Sequence, residues 1–268
     1  MPSNPRLSEL CRALAGLAVL AAGLCNLPAL AGERALVLCY EDENVRPWRT
    51  HDGHGLNFEL LDQVAGSAGI RFRYLGTPWK RCLHELKNNL HAGAIGASFK
   101  PERQANGVYP QRGERQADPG RALYVDRYVV VRRKGTSVDW DGKRFRNLER
   151  AAGAPLGYSV ADDLRRAGVT VDEGAQTAPD VLQKLLRERI DVAVLLQGEL
   201  ASLLAETPEL RQRLDILPRP FIEKPYYLLL SHRLVQSEPQ LAEQIWNAIA
   251  RERARPAWQE KERRALER

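Results

Sequence analysis

Residues 78–103, PWKRCLHELKNNLHAGAIGASFKPER, decide the fold. Leu83, Leu86 and Leu90 recur at helical spacing, and from Ala92 to Ala97 the residues turn small and apolar, a switch from helix to strand. The same construction returns at residues 181–199, VLQKLLRERIDVAVLLQGE. Here Val181, Leu182, Leu185 and Leu186 form the helical stripe and Ile190 to Leu196 form the strand. Two α/β halves that each end a strand at a polar loop create a cleft, because ligands bind outside the carboxyl ends of strands in open α/β sheets.

Working outward, ALVLCY (residues 35–40) reads as a buried strand and Leu56 to Ala68 as a helix stopped by Gly69. Ile70 to Leu75 is a second strand, Pro78 to Asn89 a helix, and Ala92 to Ala97 a third strand. This β-α-β-α-β order implies parallel pairing with right-handed crossovers. After a Gly- and Pro-rich loop from Val108 to Gly120, Leu123 to Arg133 is a long strand leading into a second half. There Phe145–Leu148, Leu156–Ser159, Asp162–Ala167, Val169–Asp172, Ala178–Arg187 and Ile190–Leu196 alternate strand and helix. Lys224 to Ser231 is another apolar strand and Gln240 to Arg253 a helix, with too little chain left for a third lobe. The expectation is an α/β chain with two parallel-rich sheets. Lobe one takes residues 32–131 plus 226–268, lobe two takes 132–225, and two crossing strands make the hinge.

The first 31 residues read as a secretory signal. Arg6 and Arg12 precede an apolar stretch from Ala13 to Leu24, and Ala29-Leu30-Ala31 supplies small residues at a cleavage site. The apolar run falls short of the roughly 20 residues that a membrane span needs. A periplasmic, soluble product cleaved after Ala31 follows. Of four cysteines, Cys39 and Cys82 lie beyond the leader. An even pair in an oxidising compartment favours one disulfide over two buried thiols. A formal net charge of +6, spread among interleaved arginines and glutamates, describes a solvated surface rather than a nucleic-acid face.

Taken in order, several elements resemble bacterial extracellular solute-binding proteins of family 3, the type that serves polar amino acid ABC transporters. They are LVLCYE, Pro47-Trp48, Gly55 with LNFELLDQVA, Pro78-Trp79-Lys80-Arg81, Ser98 with Pro101-Glu102-Arg103, Arg189-Ile190-Asp191, and Lys224-Pro225-Tyr226-Tyr227. The resemblance implies a type 2 periplasmic binding protein fold, a monomer without cofactor or metal, and a small-molecule ligand that is amino-acid-like or a carboxylate. It implies delivery to an ABC permease, or alternatively presentation to a membrane receptor. It also places Ser98 and Arg103 on the ligand, and a guanidinium fork suits a carboxylate bidentately. By the same resemblance Tyr40, Trp48, Trp79 and Tyr109 face the cleft, where aromatic faces sandwich a ligand; for each of them ordinary packing is the competing reading.

Two departures stand out. The aspartate that takes a ligand ammonium in many relatives is replaced in Leu195-Leu196-Gln197-Gly198-Glu199, with Gln197 or Glu199 as stand-ins, and Ala92 occupies the place of another acid. Asp162 and Asp163 read first as helix caps. Enzymes on this fold, such as dehydratases, are the alternative of a different class. Glu41, Asp42, Glu43, His51 and His54 are the acid-base candidates, and no GxSxG nucleophile motif accompanies them.

Overall fold

The computed structural model describes residues 34–113 and 116–266; the leader and its cleavage site lie outside them. Among the described residues the strands are β1 (Arg34–Glu41), β2 (Ile70–Thr77), β3 (Gly93–Ser98), β4 (Tyr124–Arg133), β5 (Asp139–Trp140), β6 (Phe145–Arg146), β7 (Ala152–Pro155), β8 (Val171–Ala175), β9 (Val192–Leu196), β10 (Leu214–Ile216) and β11 (Ile222–Leu230). The helices are α1 (Leu56–Ala68), α2 (Trp79–Lys87), α3 (Val160–Arg166), α4 (Ala178–Leu186), α5 (Gln197–Glu206), α6 (Leu210–Arg213), α7 (His232–Ser237), α8 (Pro239–Arg253) and α9 (Pro256–Leu266).

Both echoed segments fold as helix then strand, α2 into β3 and α4 into β9, but Leu90, expected on the first apolar stripe, lies past the end of α2 and is 66% exposed. On α4 the apolar stripe Val181, Leu182 and Leu185 is buried, and Thr177 caps the helix by accepting from the Asp180 amide. Helix α1 ends at Gly69, whose φ of 64° is the left-handed conformation that glycine adopts without penalty.

Among the described residues nine strands form one hydrogen-bonded sheet in the order β2-β1-β3-β11-β4-β9-β7-β8, with β10 added alongside β4, and β5 pairs with β6 apart from it. Pairing is parallel between β1 and β3 and between β7, β8 and β9. The two parallel sets are joined through β4 and β11, which run antiparallel to each other and to their outer neighbours. Strand β4 pairs with β11 from Tyr124 to Tyr128, then with β9 from Tyr128 to Arg132. Strand β11 pairs with β4 from Ile222 to Tyr226, then with β3 from Tyr226 to Leu230. Tyr128 and Tyr226 are therefore the points at which each long strand changes partner.

Both faces of the second parallel set are buried, which explains its unbroken apolar strands. Val129 and Val131 of β4, with Ala193 and Leu195 of β9, pack against Val181, Leu185 and Leu200 of α4 and α5. The alternate residues Val130, Val192, Val194 and Leu196 join the larger core, which extends through Leu38, Ile95 and Leu228 to Ile245 and Trp246 of α8.

Three details correct the sequence reading. The strand expected at Leu156–Ser159 is Ala152–Pro155, and residues 156–159 form the turn after it. Its AGAP sequence carries little strand propensity, but it lies where only small residues fit: a Cβ on Gly153 would stand 2.4 Å from Ile190 Cδ1. Four helices, α5, α6, α7 and α9, were not anticipated. Asp162 and Asp163 lie in the first turn of α3, but they pair with Lys100 and Lys224 rather than capping. Cys39 and Cys82 form a disulfide with a Cα–Cα separation of 5.7 Å, tying β1 to the first turn of α2.

Candidate ligand-binding site

The carboxyl ends of β1, β3 and β7 meet at a seam, and side chains from both parallel sets cross it. Ser98 closes β3, and the turn Pro101–Ala105 brings Arg103 back beneath it. Arg103 Nη1 donates to the Ser98 carbonyl at 2.7 Å and to Ser98 Oγ at 3.3 Å, while Nη2 crosses to the Gly157 carbonyl at 3.0 Å. The guanidinium lies 5.5 Å from the centre of the Trp79 ring. Tyr109 donates its hydroxyl to the Ser98 carbonyl at 2.7 Å, and burial pushes this phenol up to about 12. Ser98 Oγ and Ser159 Oγ stand 2.8 Å apart across the seam, and Lys224 Nζ donates to Ser159 Oγ at 3.0 Å. Four expected residues, Trp79, Ser98, Arg103 and Tyr109, thus form one cluster.

Arg103 is 5% exposed, and no carboxylate among the described residues pairs with it. Its neighbours are paired: Arg49 with Glu41 at 2.6 Å, Lys100 with Asp162, and Lys224 with Asp163. A buried charge without an opposite charge is costly to hold. Arg103 is offset by carbonyl and hydroxyl dipoles and the face of Trp79, with Glu41 acting on it only through space, a set of partners that a directly bonded anion outcompetes.

A second cluster lies beside the first. Glu41 ends β1, and its Oε2 accepts from Arg49 Nη2 at 2.6 Å; Arg49 also donates from Nε to the Glu41 carbonyl at 3.2 Å. The hydroxyl of Tyr158, in the loop between β7 and α3, stands 2.6 Å from Glu41 Oε2 and 2.6 Å from Glu199 Oε1. All four side chains are buried. A phenol carries one proton and can donate to only one carboxylate, so the second contact requires that a carboxyl group donate to the phenolic oxygen. Burial raises Glu41 as well, but the directly bonded Arg49 favours the negative charge there, so the proton belongs on Glu199. Burial first, then the charge of Glu41, push Glu199 up to about 8.

The remaining expected residues lie elsewhere. Trp48 stacks on Tyr124 at 4.5 Å, and Tyr124 stacks on Tyr226 at 4.9 Å, a column of rings against the two long strands. Tyr40 turns toward α1: its ring meets Phe58 edge-on and its hydroxyl donates to the His51 carbonyl. Gln197 and Glu199 part company within the first turn of α5. Glu199 points into the seam, whereas Gln197 is exposed on an outer groove of about 1270 Å³ between the Pro47-Trp48 loop, α5 and α9. The backbone carbonyl of Arg46 lies so close to α5 that a Cβ on Gly198 would be 2.3 Å from it. Arg49, Tyr158 and Ser159 were missed as site residues, and only their aromatic or polar character within loops hinted at a role. Among the described residues no three of His, Cys, Asp and Glu converge as a metal site.

The fold has known counterparts. No protein-family model matches the chain, and neither does any curated protein. Among solved structures, the chain is similar to the GluR0 ligand-binding core of Nostoc punctiforme in complex with L-glutamate. Identity is 16% and the TM-score 0.63, over 84% of this chain and 96% of that one. An ABC uptake transporter substrate-binding protein from Streptococcus pneumoniae with bound histidine matches at 15% identity and a TM-score of 0.65, covering 87% and 93%. A periplasmic binding protein of Salmonella typhimurium with high arginine specificity matches at 14% and 0.63, covering 87% and 99%. This chain has the two-lobed periplasmic binding protein fold.

Proposed function

We propose that this chain captures a small polar solute, an amino acid or related carboxylate, at the seam between its two lobes and delivers it to a membrane ABC transporter. The observation that carries this reading is Arg103: a buried guanidinium beside Ser98 that reaches across the seam and has no carboxylate partner among the described residues. The moving bodies in this reading are residues 32–131 with 226–268, and residues 132–225, turning about β4 and β11. A ligand carboxylate takes the Arg103 and Ser98 donors now engaged by carbonyls and by Ser159, and the lobes close over it. The proteins of this fold named above bind glutamate, histidine or arginine, which supports the ligand class.

The test is a thermal-shift screen of the protein against amino acids and small carboxylates, followed by calorimetry on the hits. A ligand present at a hundred times its Kd stabilises the folded state by about 2.7 kcal/mol. Arg103→Ala is expected to abolish the shift for a carboxylate ligand while the unliganded Tm stays within a few degrees. Unchanged affinity in that variant removes Arg103 from the site.

A further inference from the structure

We propose that closure of the seam is locked by a proton carried on Glu199, so that the closed form takes up one proton from solvent and rising pH releases the lobes. This inference rests on the reading of the seam as a closable cleft, and it concerns how that cleft is regulated rather than what it binds.

Tyr158 and Glu199 belong to the second parallel set, on the turn after β7 and on α5, whereas Glu41 ends β1 of the first. Among the described residues the single oxygen of Tyr158 joins the two carboxyl groups, at 2.6 Å from each. In the open form Glu199 is hydrated and ionised and accepts the phenolic proton. On closing, Glu41 arrives already fixed by Arg49, and the phenol must turn its proton toward it. Glu199 can then keep its 2.6 Å contact only as a donor. Its other oxygen, Oε2, is buried with no hydrogen-bond partner, so an ionised Glu199 would have nothing to neutralise it there.

The groups facing Glu199 come from every neighbouring element: Glu41 from β1, Glu43 and Arg49 from the loop that follows, Tyr158 from the turn after β7, and Tyr128 from β4. Arg49 is the one cation among them, and it is bonded to Glu41. The closed form therefore holds the Glu199 proton more tightly than the open form. A carboxyl group raised on closing favours closure most below its hydrated value, near 4.5, and loses that contribution as the pH climbs toward about 8. Within this window the closed-to-open ratio falls up to tenfold per pH unit.

Small-angle scattering of the ligand-free protein at pH 5 and pH 8.5 tests this. The wild type is expected to be compact at pH 5 and to gain radius of gyration at pH 8.5. Glu199→Gln, whose amide donates to Tyr158 at any pH, is expected to stay compact at both. Tyr158→Phe keeps the ring but removes the shared oxygen, and is expected to lose the difference between the two pH values. Glu41, Glu43, Asp126 and the half-buried Lys224, whose titration is also shifted, are common to wild type and Glu199→Gln, so the contrast between these two isolates Glu199. A wild type of constant size, or a Glu199→Gln or Tyr158→Phe protein that repeats the wild-type change, overturns the lock. A ligand screen without hits leaves these curves as they are, so the lock and the proposed function fail separately.

Discussion

At the residue scale, the seam is governed by how each charge is compensated. Arg49 and Glu41 form a buried pair, and breaking such a pair costs about 3–5 kcal/mol because one charge is left without a partner. Arg49→Met is therefore expected to lower stability by about that amount at pH 7, and by less at pH 5, where Glu41 can take up a proton. Urea denaturation at the two pH values measures the difference. Adding Glu41→Gln to Arg49→Met should recover part of the loss, since the stranded carboxylate is then gone. Equal losses at both pH values, with no recovery, would show that Arg49 acts through packing alone. Arg103 differs in kind: its donors go to carbonyls, so its removal is expected to affect ligand binding more than folding.

At the element scale, the decisive units are the ends of β1 and β3 and the first turn of α2. The disulfide between Cys39 and Cys82 pins β1 to α2 across a separation of 43 residues. In the loop-entropy account a cross-link of that span stabilises by about 4 kcal/mol. Reduction, or the paired Cys39→Ala and Cys82→Ala change, is expected to lower the Tm markedly, by an amount readable from calorimetry with and without reductant. An unchanged Tm would mean that packing of the buried cysteines is all that matters. The helix-then-strand elements were legible because their apolar stripes follow the helical period and their strands are unbroken apolar runs. β7 was misplaced by a few residues because its fitness lies in small volume between α4 and Ile190, and propensity does not register that. The helix α5 was not anticipated, although its first turn aims Glu199 inward and Gln197 outward.

At the scale of the whole molecule, β4 and β11 carry the chain between the parallel sets and change partner at Tyr128 and Tyr226, which is where the proposed closure bends. The direct bond from Ser98 to Ser159 is one of the contacts that opening must break. A buried hydrogen bond of this kind contributes about 0.5–1.5 kcal/mol. Ser98→Ala with Ser159→Ala is accordingly expected to shift the ligand-free population several-fold toward the open form. Spin labels at exposed Gly66 on α1 and Arg187 beside α4 would report it as a longer mean distance. A distance distribution identical to that of the wild type would exclude this bond from the balance.

The sequence by itself determined the class of fold and the repeated helix-to-strand unit, because both rest on local periodicity. It favoured a bridge between its two remaining cysteines only by their number, and it grouped Ser98 with Arg103 only through the family resemblance, while the structure closed the bridge across 43 residues. Only the tertiary structure decided that Trp79 and Tyr109 join that group while Tyr40 packs against Phe58, and that Gln197 and Glu199 face opposite ways. It alone joined Glu41, Arg49, Tyr158 and Glu199, whose distances in sequence reach 158 residues between Glu41 and Glu199. No periodicity links residues so far apart. What brings them together is burial of both sheet faces, and what sets their charge is the loss of water around them.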